Sequence, residues 1–155
     1  LYAAGLAVAK GAGRVLYLDD NADNCARARQ LGVEAAPLAL AEGREPEELF
    51  EIVVEAAGTS EALTFAIGAS APNALLTVVS IHLAPTTSIS LTRAYYRGLT
   101  LDTGRVQARM VLPGVLDCIA CGHFHPEHVT HAVLPFAQAG EAMADPGPTL
   151  VFLPE

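Results

Sequence analysis

Charge is what this sequence has least of. Only 17% of its 155 residues are charged, while 52% are hydrophobic. That balance excludes a disordered chain, which lacks the apolar surface to fold. Basic residues are scarcer still, and the net charge is −8. Without a basic footprint, neither nucleic acid nor an anionic membrane is expected as a partner.

Cysteine is also sparse. Cys25, Cys118 and Cys121 are too few and too unevenly spaced for a disulfide framework, so a cytoplasmic location is expected. No apolar run approaches the roughly 20 residues of a membrane span. The opening LYAAGLAVAKGAG lacks the basic leader of a signal peptide and reads as a buried amphipathic helix. An initiator methionine is lacking too, and the chain opens within that helical pattern, which suggests a piece of something longer.

What is present is alternation. Short apolar runs rich in β-branched residues, RVLYLDD (Arg14 to Asp20), VEAAPL, FEIVVEAAG (Phe50 to Gly58), NALLTVVSI, GLTLD and TLVFLP, read as strands. Between them lie helical patterns. NADNCARARQLG has Asn21 as N-cap and Gly32 as its stop; TSEALTFAIGAS has Thr59 or Ser60 as N-cap with Glu61 in the first turn. AEGREPEEL is a charged connection with one helical turn, and a short helix covers Leu91 to Tyr96. LPGVLDCIACG is a helix with Pro113 near its first position, and PFAQAGEAMAD is the last helix. Near-continuously apolar strands alternating with helices predict a doubly wound parallel sheet covered on both faces.

The most conspicuous stretch is DCIACGHFHPEH, Asp117 to His128. On a helical wheel Val115, Leu116, Ile119 and Ala120 share one arc, the expected core face. Cys121 and Asp117 lie nearly opposite and Cys118 at the flank. A redox C-x-x-C needs its first thiol at a helix N-terminus, and this pair sits in the last turn before Gly122. As zinc ligands Cys118, Cys121, His123 and His125 would have to converge from one segment, whereas four-ligand sites draw on two. The stretch reads as a helix end followed by a polar turn.

A quieter feature carries more chemistry. In a nucleotide-binding βαβ unit, the second strand ends in an acid that accepts from the adenosine ribose hydroxyls. VLYLDD ends that way, with Asp19 at the strand terminus. A carboxylate there repels a 2′-phosphate and favours NAD over NADP, and the next basic residue is only Arg27. The alternative is that Asp19 and Asp20 merely cap the following helix. The G-x-G-x-x-G loop of such a unit is missing, and would fall immediately before Leu1.

Taken in order, these segments resemble the medium-chain dehydrogenases, the zinc-dependent alcohol and polyol dehydrogenase superfamily. AAGLAVAKGAGRVLYLDDNADNCARARQLG is similar to the first helix, second strand and next helix of its coenzyme domain. IVVEAAGTSEAL resembles its strand-ending V-x-E-A-x-G, and LLTVVSI and YYRGLTLDTGR the two strands that follow. LPGVLDCIACGHFHPEHVTHAVLPFAQAGEAM resembles its C-terminal G-x-x-x-P-E, T-H and L-P-F pattern.

The resemblance implies a Rossmann-type sheet lacking its first strand and glycine-rich loop. Residues 1–145 would form an NAD-binding domain, and 146–155 a strand returning to an absent catalytic domain. It implies that Asp19 holds the adenosine ribose with Asn24 nearby, and that Ala57 and Thr59 flank the adenine. Val79, Ser80 and Ile81 would run along the nicotinamide ribose and carboxamide, and Leu99 and Leu101 would offer backbone groups. Plain strand core is the alternative for each of these last roles. The cofactor would be NAD, with zinc in the full-length enzyme on ligands outside this chain. The substrate would be an alcohol or polyol, and the chain alone inactive. A homodimer is expected through sheet edges in TVVSI…GLTLDTG. The pyrophosphate-binding arginine of some relatives is replaced by Gly147 and Pro148. Two other readings stay open: a zinc-free quinone-reductase relative using NADPH, which Asp19 disfavours, and a non-catalytic nucleotide-binding module with redox-responsive cysteines.

Overall fold

Residues 1–38, 46, 48–144 and 150–154 are described in the computed structural model. Two compact units are formed, one from Leu1–Leu38 with Arg109–Glu155, the other from Ala39–Ala108. The charged connection AEGREPEEL and the Gly147–Pro148 pair lie largely or wholly outside the described residues.

The first unit is built on a βαβ turn. Strand β1 (Leu16–Asp19) pairs in parallel with β2 (Glu34–Pro37), Leu16 opposite Glu34 and Asp19 opposite Pro37. Helix α2 (Ala22–Gln30) makes the crossover, with the Asn21 carboxamide oxygen accepting from the backbone N–H of Asp23 and Asn24 at 2.9 and 3.1 Å. Asp23 in its first turn and Arg27 and Arg29 in its last complement the helix dipole, and Gly32 leaves the helix at φ +76°. Cys25 and Ala28 are its buried face.

Helix α1 (Tyr2–Ala9) differs from expectation. It is apolar on every face, and only Gly5 is buried. The reason is Phe124: a Cβ on Gly5 would lie 2.7 Å from the ring, so the missing side chain admits the aromatic instead. Tyr2 meets the same ring edge-on at 6.3 Å. Phe124, within the cysteine–histidine stretch, is 3% exposed and is a core anchor.

Helix α5 (Ala108–Ala120) also departs from the sequence reading. It starts five residues before Pro113, which therefore sits inside it and deprives the Arg109 carbonyl of its helical donor. Its inward arc is Cys118 with half-buried Val115 and Ile119, while Leu116 and Ala120 are exposed. The buried arc is thus turned away from the larger aliphatic Leu116, and the cysteine behaves as a small hydrophobe. A 3-10 turn (Pro126–Val129) follows, then β6 (Ala132–Pro135), parallel to β7 (Leu150–Leu153). The expected last helix is split into a 3-10 turn (Phe136–Gln138) and a short α6 (Ala139–Ala142).

The second unit is a three-stranded parallel sheet in the order β3 (Phe50–Glu55), β4 (Ser70–Val78), β5 (Thr100–Thr103). Thr59 caps helix α3 (Ser60–Ala69), its hydroxyl accepting from Ala62 N–H at 3.1 Å. Helix α3 passes directly into β4. At this junction the Ser70 hydroxyl donates to Ala66 O at 2.9 Å, and Arg97 of α4 (Leu91–Arg97) donates to Ile67 O, Gly68 O and Ser70 O. Leu63, Ala66, Ile67, Leu76 and Val78 form the core, with Val53 and Leu99 against it.

Among the described residues one face of this sheet is open, where cover on both faces is expected. Ile52, Val54 and Leu75, which alternate with the core positions Val53 and Leu76, are exposed at 71%, 41% and 40%. Nor is there one continuous sheet among the described residues: backbone hydrogen bonds join β1–β2, β3–β4–β5 and β6–β7 separately.

Candidate functional site

Ligands of open parallel sheets bind beyond the carboxyl ends of the strands. In the first unit that position on β1 is Asp19. Its Oδ1 accepts from Asn21 N–H at 2.9 Å, and its Oδ2 from the Asn24 amide at 3.0 Å and from the Tyr17 hydroxyl. Tyr17 reaches it because residues two apart share one side of a strand. Burial pushes the Asp19 carboxyl up, but these hydrogen bonds outweigh it and hold the group below the usual carboxylate range. Burial first, then the bond to and charge of Asp19, push the Tyr17 phenol far up. The result is a fixed carboxylate, ionised at neutral pH.

Capping of α2 falls to Asn21, not to either aspartate. Asp19 organises the turn one step earlier and remains half-exposed. A carboxylate offers about four acceptor positions; among the described residues donors occupy two on Oδ2 and one on Oδ1. Beside it, the buried Asn24 Oδ1 has no hydrogen-bond partner among the described residues.

In the second unit the corresponding end of β3 is Glu55, a residue to which the sequence reading gave no role. It is 3% exposed. Oε1 accepts from Ala57 N–H and Gly58 N–H, both at 2.7 Å; Oε2 accepts from the Ser80 hydroxyl and lies 3.2 Å from His82 Nε2. Burial alone pushes this carboxyl up, and the donors together bring it below its usual range. Its backbone takes part as well, Val79 N–H donating to Glu55 O at 2.9 Å.

Several predicted positions therefore converge. Ala57 and Thr59, after β3, and Val79, Ser80 and Ile81, after β4, occupy two turns joined through Glu55. Val79 to Ile81 lie past the end of the strand rather than within it, and Val79 and Ile81 are 59% and 82% exposed. Leu99 packs on the core, with its N–H committed to Ala94 O at 3.0 Å; Leu101 is paired in the sheet opposite Leu76. Asp19 and Asn24 belong to the other unit. The signal that could have found Glu55 was already in VVEAAG: an acid closing an apolar strand, as in LYLDD, followed by small residues and a glycine.

The conspicuous cluster assembles differently. Cys118 is buried and Cys121 exposed, both as free thiols. The His125 ring stacks on His128 at 5.6 Å, and its Nδ1 lies 2.9 Å from Glu127 Oε1. Among the described residues no three His, Cys, Asp or Glu side chains are grouped to hold a metal ion. No helix among them is long and apolar enough to cross a membrane.

No family model matches the chain, and no curated protein matches its sequence. Solved structures do match. The alcohol dehydrogenase TADH of Thermus sp. ATN1 superposes with a TM-score of 0.84 over 99% of this chain and 47% of its own, at 23% identity. The chain has the fold of one portion of that structure. A zinc-binding dehydrogenase of Sinorhizobium meliloti 1021 bound to NADP gives 0.80 at 15% identity, over 97% of this chain and 47% of that one. Acetophenone reductase of Geotrichum candidum NBRC 4597, in complex with NAD, gives 0.76 at 19% identity, over 97% and 44%. At these identities the likeness is one of fold, a Rossmann-type α/β fold. The chain spans less than half the length of each of these three proteins.

Proposed function

We propose that this chain is the NAD-binding portion of a zinc-dependent alcohol or polyol dehydrogenase, in which hydride passes from an alcohol to the nicotinamide. The observation that carries the reading is Asp19: an ionised, pre-oriented carboxylate at the carboxyl end of the first strand of a parallel βαβ unit. A ribose hydroxyl donates to it, and its charge opposes a 2′-phosphate. Strand order supports it. The series β2–β1 and β3–β4–β5 reproduce the 3-2 and 4-5-6 stretches of the doubly wound order 3-2-1-4-5-6.

On this reading Asn24 assists Asp19, Ala57 and Thr59 flank the adenine, and Val79, Ser80 and Ile81 line the nicotinamide side. Leu99 and Leu101 offer main-chain carbonyls. The first strand, its glycine-rich loop and the catalytic domain lie outside these 155 residues, with 1–145 as the coenzyme domain and 146–155 running back toward the catalytic one. The described residues provide no zinc ligand set, so no zinc step is assigned to this chain, which alone is expected to be inactive. β5, exposed at all four positions, suits the sheet-edge homodimer.

Calorimetric titration of the protein with NAD tests the reading. Saturable binding at one site per chain is expected, weakened about tenfold or more in Asp19→Ala, as for loss of a hydrogen bond to a charged group. Failure of the intact protein to bind either NAD or NADP would overturn it.

A further inference from the structure

A strand-ending carboxylate buried to 3% exposure must earn its charge from donors, since an unpaired one would be neutralised. Glu55 has four donors, and their distribution along the chain is informative. Two are successive backbone N–H groups of the turn after β3, a small anion-binding nest closed on one oxygen. The other two, the Ser80 hydroxyl and His82 Nε2, come from the turn after β4 and close on the second oxygen. One side chain spans both turns.

A separate feature brings the same turns together. Gly58 has φ +76°, and a Cβ there would lie 3.1 Å from the Ile81 carbonyl oxygen and 3.4 Å from the Ser80 Cβ. The backbones thus meet at a distance that a side chain would disturb. The flanking side chains Ala57, Thr59, Val79 and Ile81 are all exposed, so little packing holds these turns in place.

We propose that Glu55 is a positioning residue of the candidate coenzyme site, its carboxylate clamping residues 57–59 to residues 80–82. The clamp itself stands on the geometry of this unit; its purpose rests on the coenzyme-binding reading above. Glu55 touches no reacting atom. It keeps the adenine-side and nicotinamide-side turns at a fixed separation, so that a dinucleotide meets both without first ordering them.

The test compares the intact protein with Glu55→Ala and Glu55→Gln, at a temperature where circular dichroism shows each folded. Two readouts are taken: amide hydrogen exchange at Ala57 and Gly58, and affinity for NAD. In Glu55→Ala, exchange accelerates and NAD affinity falls, each by about tenfold or more. In Glu55→Gln the amide keeps an acceptor for the two N–H groups and offers its own N–H to Ser80 and His82. Both readouts then stay within about threefold of the parent. Parent-like behaviour of Glu55→Ala, or a glutamine variant as impaired as alanine, would overturn the clamp. If the parent binds no NAD, the coenzyme reading falls and hydrogen exchange alone decides the clamp. If Glu55→Ala does not fold, Ser80→Ala combined with His82→Ala, which leaves neither position a side-chain donor, severs only the β4 side. Exchange at Ala57 and Gly58 should then rise about threefold or more, and unchanged exchange would overturn the proposal.

Discussion

Asp19 and Glu55 close two strands with nearly the same sequence signature, an apolar run ending in an acid, yet they are opposites physically. Asp19 draws its donors from within five residues of itself and lies at a half-exposed edge. Glu55 is buried and spends every described bond inside the protein, two of them on residues 25 and 27 positions away. On the proposed reading one acid meets a ligand and the other holds together the turns that meet it. An acidic strand terminus thus announces a site without saying which part it plays. Burial and the origin of the donors decide that.

The largest expected effect separates the two acids by stability. Glu55→Ala strands two backbone N–H groups and a hydroxyl in a buried site and should cost about 3 kcal/mol, whereas Asp19→Ala, with water at hand, should cost about 1 kcal/mol. Urea denaturation at neutral pH measures both, and equal losses would erase the distinction. Next come two glycines with the same φ of +76°. Gly58→Ala adds a collision with the Ile81 carbonyl to the left-handed strain, while Gly32→Ala meets nothing closer than Val8 Cγ1 at 4.0 Å. Costs of about 2–3 and about 1 kcal/mol follow.

A third contrast is in pH. Both carboxyls are held below their ordinary values. Each therefore stabilises the fold fully above the unfolded value, and that contribution is lost as pH falls through the lowered one. Stability should accordingly decline on acidification below about pH 5, less steeply in Glu55→Gln than in the parent. Denaturation midpoints across that range check it, and an unaltered slope would contradict the assignment. Tyr17→Phe should have the smallest effect, about 1 kcal/mol or less, because its partner is half solvated.

Local features were legible in the sequence and distant ones were not. Asn21, Thr59 and Gly32 end their helices by chemistry confined to a few residues, and the structure keeps all three in those roles. The strands and their parallel pairing followed from apolar runs alternating with helices. The rotation of α5 could not be read from its own wheel, and its start ahead of Pro113 ran against the proline's usual place. The pairing of Gly5 with Phe124 required two segments more than a hundred residues apart to meet. The donors of Glu55 are likewise non-local. DCIACGHFHPEH looks chemical because its residue types are reactive, yet its structural contribution comes from Cys118 and Phe124, which are buried.

The coenzyme assignment of Asp19 is tested most directly by the ratio of NAD to NADP affinity in the intact protein and in Asp19→Ala. Structures of this fold have been seen with either dinucleotide, so the fold alone does not set the preference. A preference for NAD of about tenfold or more, collapsing toward parity in Asp19→Ala, is the predicted result. An unchanged ratio would contradict the account.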